Sequence, residues 1–89
     1  MIKRELSIVN KLGLHARAAA KFVNTASRYG AEIYLERGTQ RVNGKSIMGV
    51  MMLAASRGTT LLLSTEGEDE GAAADALETL VSNRFGESE

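Results

Sequence analysis

The apolar pattern along the 89 residues predicts an α+β fold, with three helices on one face of a four-stranded, mostly antiparallel sheet. Two observations carry this. Short alternating runs mark strands, and alanine-rich stretches with apolar residues three and four apart mark helices. The order they give, β-α-β-β-α-β-α, leaves each helix nowhere to bury its stripe except on the sheet. The length fits a single domain spanning 1–89, large enough for one core. An apolar content of 44% argues against disorder.

Arg4, Leu6 and Ile8 alternate with Lys3, Glu5 and Ser7, which predicts the first strand. A loop, Asn10 to Leu14, leads into a helix from Ala16 to Arg28. Its Ala19, Phe22, Val23 and Ala26 share one face, and Gly30 is placed to act as its C-cap. Glu32 to Arg37 reads as a second strand, with Ile33 and Leu35 opposed to Tyr34. Gly38 to Gln40 turns the chain into a short third strand, Arg41 to Asn43. Ser46 is a natural N-cap for a short helix from Ile47 to about Ala54, with Val50 and Leu53 as its core residues. Thr59 to Thr65 is β-branched and leucine-rich, the signature of a buried strand. Glu68, Asp69 and Glu70 crowd the start of the last helix, where acidic side chains offset the dipole. Ala73, Leu77, Leu80, Val81 and Arg84 form its stripe. The tail Glu87-Ser88-Glu89 is expected to fray.

Composition excludes several function classes. Eleven basic and eleven acidic residues cancel, so nonspecific nucleic-acid binding lacks its driving charge. Cysteine is absent, which removes disulfides, thiolate metal sites and cysteine nucleophiles. No cofactor motif and no metal-ligand set is found. The N-terminus has no apolar signal region, and no apolar run nears the roughly 18 residues a membrane span needs. The expected location is cytoplasmic.

His15 is the one histidine, placed at the start of the first helix. The first amides of a helix lack internal partners and carry the positive end of the dipole, so they attract anions. Arg17 lies inside the same first turn. A cation there opposes the dipole, which points to an anion nearby that a guanidinium can grip bidentately. A histidine, free amides and an arginine at one point suit a transient phosphohistidine, because phosphoryl transfer is mostly positioning and charge stabilisation. The plain alternative is an N-terminal histidine and a solvated arginine with no further role.

Gly44-Lys45-Ser46 suggests a phosphate-binding P-loop, but the required earlier glycine is Thr39. Ser46 as an N-cap accounts for the segment, and a phosphate on it would sit favourably at a helix start. Ile47, Met48 and Met51 belong to a helix apolar nearly all round. Some of them must remain exposed, as adaptable methionine contacts are.

Asn10-Lys11-Leu12-Gly13-Leu14-His15-Ala16-Arg17-Ala18-Ala19 resembles the active-site signature of HPr, the histidine phosphocarrier of the phosphoenolpyruvate-dependent phosphotransferase system. Val42 to Met51 resembles the family's second signature, around a regulatory serine. The resemblance implies an HPr-like open-faced β-sandwich. It implies that His15 takes phosphate on Nδ1 from phosphorylated enzyme I and passes it to a histidine of an enzyme II A component, with Arg17 as phosphate partner. Ser46 matches the serine that a dedicated kinase phosphorylates, and a phosphorylase clears, in some bacteria. Ala20, Ile47, Met48 and Met51 match the patch that docks these partners. The implied protein is a phosphoryl carrier for sugar transport rather than an enzyme, and a monomer.

Two departures matter. Many members have proline where Ala18 stands, and alanine starts a helix nearly as well. Asn83 to Glu87 resembles the nitrogen-related branch, NPr, more than the sugar branch, so a regulatory A protein is the alternative acceptor. Two other functions compete. One is a regulatory module of the same fold that controls partners without passing phosphate. The other is an RNA-binding sheet domain, which the two Tyr, two Phe and zero net charge disfavour.

Overall fold

A computed structural model describes residues 1–89. Four strands, β1 (Ile2–Ser7), β2 (Glu32–Arg37), β3 (Gln40–Asn43) and β4 (Thr60–Glu66), form one sheet of order β1-β4-β2-β3. Every neighbouring pair is antiparallel. Helices α1 (Ala16–Ala26), α2 (Ile47–Met52) and α3 (Glu70–Ser82) pack over one face. The architecture is the open-faced α+β arrangement expected from the sequence. β4 is central because its inward residues Leu61, Leu63 and Thr65 are all buried. Its register puts Leu63 opposite Arg4 of β1 and Leu35 of β2.

The uncovered face is polar. Across the strands, Glu5, Leu62, Glu36 and Arg41 form one row, and Lys3, Ser64, Tyr34 and Asn43 the next. Arg41 lies over the Tyr34 ring at 3.9 Å from its centre, a cation–π contact. The covered face contributes to one cluster of 21 buried apolar residues. It includes Ala19, Phe22, Val23 and Ala26 of the anticipated α1 stripe.

Element ends depart from expectation where a tertiary contact replaces a local signal. α1 stops at Ala26; Ser27 N still bonds Val23 O, and Arg28 and Tyr29 continue as tighter turns. Gly30 has no left-handed φ, so it is no C-cap; its N–H is taken by Asp69 instead. α3 ends at Ser82, because Arg84 and Phe85 adopt φ of 58° and 54°. Arg84 therefore leaves the apolar stripe for solvent, and Phe85 is the residue buried there.

Asp69 stands at the N-cap of α3 yet makes no side-chain cap to its own helix. Its carboxylate accepts from Gly30 N at 2.9 Å and Ala31 N at 2.8 Å, tying the entry of β2 to α3. The Gly30 hydrogen bond, followed by that of Ala31, holds this carboxyl below its ordinary value. A lowered folded pKa stabilises the fold above the unfolded value of about 3.9, and the gain is lost as pH falls through the folded value. Asp69→Asn is accordingly expected to be less stable than wild type at pH 7. The difference should shrink as the pH is lowered from 7 to well below the unfolded value of about 3.9, which urea unfolding across that range would measure.

Candidate functional site

The site is built at the turn from β1 into α1. Asn10 is fully buried and its side-chain amide donates to Gly13 O at 2.9 Å, while Gly13 N donates to Asn10 O. Gly13 has φ +66°, and a Cβ there would meet Ala55 O at 2.5 Å. Only glycine fits that position without moving the backbone. Leu14 N donates to the same Ala55 oxygen at 2.8 Å. The loop is thus sewn to the segment after α2, which sets where His15 stands.

His15 is the extended N-cap residue of α1, with φ −74° and ψ 175° and no side-chain cap to its own helix. The N–H groups of Ala16, Arg17 and Ala18 find no acceptor in the protein. The ring makes no bond to its own helix and stands at a helix start with three unpaired amides. Arg17 is exposed and makes no ion pair. Both residues line an open pocket of about 600 Å³.

The sequence reading missed two members of this site. Glu87 was expected to fray; instead its Oε1 accepts from Asn10 Nδ2 at 2.9 Å, and its Oε2 is bonded to His15 Nε2. The Asn10 hydrogen bond is the leading cause that keeps the Glu87 carboxyl below its ordinary value, with His15 and Lys21 adding to it. An ionised carboxylate only accepts hydrogen bonds, so the shared hydrogen belongs to Nε2. Nδ1 has no hydrogen-bond partner in the protein. Asn10 is the second missed residue. It spends both amide hydrogens on Gly13 and Glu87, and its buried Oδ1 goes without a donor.

The tail reaches the site through an unusual turn. Phe85 is buried at 1% exposure despite its left-handed backbone, and Lys21 Nζ donates to its carbonyl at 2.7 Å. Glu87 N then bonds Arg84 O, and Lys11 N bonds Glu89 O at 2.8 Å. The tail is a strap across the mouth of the loop. A phenylalanine two residues before a glutamate was the available signal, but only the α3 terminus shows where the pair lands.

Ser46 caps α2: its Oγ accepts from Gly49 N at 3.1 Å. Val50 and Leu53 are core, while Ile47, Met48 and Met51 are 42%, 76% and 41% exposed. Met52 and Leu12 are exposed apolar residues as well, and Leu12 lines the His15 pocket. Ala20 is half-buried on α1, the helix that packs against α2. No group of three His, Cys, Asp or Glu side chains is close enough to hold a metal ion, and no helix is long and apolar enough to cross a membrane.

Residues 2–83 match the family model described as the phosphotransferase-system HPr component phosphorylation site. The phosphocarrier protein HPr of Pseudomonas aeruginosa is 58% identical over 86 residues, 96% of each chain. That of Neisseria meningitidis serogroup A is 53% identical over 89 residues, covering both chains fully. A crystal structure of HPr from Thermoanaerobacter tengcongensis superposes with a TM-score of 0.96 at 47% identity over the whole of both chains. With a family model matching most of its length and relatives similar end to end, the chain belongs to the HPr family of phosphocarrier proteins of the phosphotransferase system.

Proposed function

We propose that His15 accepts a phosphoryl group on Nδ1 from the phosphohistidine of enzyme I. It then surrenders that group to a histidine of an A component, in sugar uptake or in nitrogen-linked regulation. The observation that supports this most is an imidazole nitrogen without a protein partner beside three acceptorless amides. In transfer, the Nδ1 electron pair forms the new N–P bond as the donor's N–P bond breaks. The amides of Ala16, Arg17 and Ala18 and the Arg17 guanidinium would hold the phosphoryl oxygens, in the field of the helix start. The protein is itself the covalent intermediate, so it acts as a carrier rather than as an enzyme, in the cytoplasm, where phosphoenolpyruvate chemistry runs.

The apolar surface of Ala20, Ile47, Met48 and Met51 is the docking face in this reading. Spending that face on partners leaves a monomer between encounters. Ser46 is a regulatory phosphorylation site in this reading, since a phosphate on the α2 cap would add about −2 of charge beside the docking face. Use of the fold as a regulator that passes no phosphate is the weaker reading, because such a module has no use for an open imidazole nitrogen.

Incubation with enzyme I and phosphoenolpyruvate should load one phosphoryl group that is labile to acid. Acid-stable label, or none, would end the carrier reading. Arg17→Glu is expected to slow loading and discharge by roughly tenfold or more, because it sets a like charge against the phosphoryl dianion. Stopped-flow or quench-flow transfer rates would measure it, and unchanged rates would make Arg17 a bystander.

A further inference from the structure

We infer that Glu87 is a positioning residue for phosphoryl transfer: its carboxylate keeps a proton on Nε2 of His15, so that Nδ1 is the nucleophile and the phosphorylated ring remains a good leaving group. The inference rests on the carrier role of His15.

A neutral imidazole has one N–H donor and one lone pair, and its hydrogen-bond partner selects which nitrogen is which. Here the partner is fixed from two sides. Glu87 Oε1 is held by the amide of fully buried Asn10, which is itself bound to Gly13 O. Oε2 is left to meet Nε2. The carboxylate is only 17% exposed, and the buried Phe85 two residues earlier holds the strap in place. A carboxylate orienting the histidine of a serine-protease triad does the corresponding work there.

The consequence appears once phosphorus arrives. The Nδ1 pair becomes the N–P bond, and the donor's ring takes back its own electron pair. With Nε2–H retained, the phosphorylated ring is cationic, and Glu87 is its counter-ion. On discharge, the acceptor nitrogen attacks phosphorus and the N–P pair returns to Nδ1, giving a neutral imidazole. Without the Nε2 proton, the leaving group would be an imidazolate, a far poorer one. Glu87 thus extends to higher pH the range over which the carrier can unload.

Other charged groups near the ring do not replace it. Lys11 pairs with Glu89 at 3.5 Å, Lys21 is bonded to the Phe85 carbonyl, and Arg17 lines the pocket unpaired. All four remain in a Glu87→Gln variant, so the difference from wild type isolates the carboxylate.

The test uses the full chain, ¹⁵N-labelled, as wild type and as Glu87→Gln, with unfolding curves showing that both are folded. Both are loaded from a phosphohistidine donor and discharged onto a histidine acceptor domain between pH 5.5 and 9. Imidazole ¹⁵N shifts should report an Nε2–H ring in wild type and a larger share of Nδ1–H in the variant. The phosphorylated variant should lose its Nε2 proton about one pH unit earlier. Its discharge should match wild type near pH 6 and fall about tenfold behind at pH 8. Superimposable shifts and pH profiles, with both chains carrying acid-labile label, would overturn the role of Glu87 and leave the carrier reading intact. Failure of wild type to take such label would instead remove the carrier reading.

Discussion

Replacing His15 with Ala is expected to abolish phosphoryl acceptance outright while leaving the protein folded. The chain has no second histidine and no cysteine, so no other imidazole or thiolate can take the phosphoryl group in its place. Serine or threonine esters would survive acid and would be told apart by that alone. The structural cost is small. His15 is 28% exposed and its only side-chain partner is Glu87, a partly exposed pair of the kind worth about 0–1 kcal/mol. In a domain of this size that moves the melting temperature by about 8 °C at most. Radiolabel from phosphoenolpyruvate, followed by acid treatment, is the measurement. Acid-labile label surviving in His15→Ala would mean that the phosphoryl group resides elsewhere.

Phe85→Ala is expected to have the largest effect on stability of any single truncation near the site. The ring is 1% exposed in the core cluster, and such truncations cost about 3–5 kcal/mol. That is a large part of the roughly 5–15 kcal/mol that holds a domain together. The backbone offers an internal check. Phe85 sits at φ 54°, a conformation that costs a non-glycine residue about 1–2 kcal/mol. Phe85→Gly loses the same ring but sheds that cost, so it should be less destabilised than Phe85→Ala despite losing one more carbon. Urea unfolding of the three proteins would show the order, and a glycine variant weaker than the alanine variant would refute it. The truncation also frees the strap. Amides from Gly86 to Glu89 should exchange faster with solvent, and Glu87 should lose its hold on His15, giving Phe85→Ala some of the alkaline transfer defect expected of Glu87→Gln.

Local chemistry was the legible part of the fold. β2 is found at Glu32–Arg37, as its alternation indicates, because both neighbours of that strand demand the same inward face. Ser46 caps α2 as its residue type and position require. The α1 stripe and the exposure of Ile47, Met48 and Met51 follow from periodicity and from the limited area a six-residue helix can cover. What escaped lies where residues distant in sequence compete for the same group. Asp69 belongs by its position to the dipole of α3, yet the amides of Gly30 and Ala31 recruit it. Gly30 resembles a C-cap, but the Asp69 bond replaces that need.

His15 at a helix start and Arg17 within its first turn are consequences of sequence alone, because capping and the dipole act over a few residues. Glu87 is 72 residues away along the chain. No short-range rule could bring it to the imidazole. Its placement waited on α3 ending at Ser82, on Phe85 entering the core at a left-handed turn, and on the buried Asn10 amide receiving the carboxylate. Which nitrogen of His15 is free to react was therefore settled by packing: a ring's tautomer follows the partner it meets in space, and that partner comes from the far end of the chain.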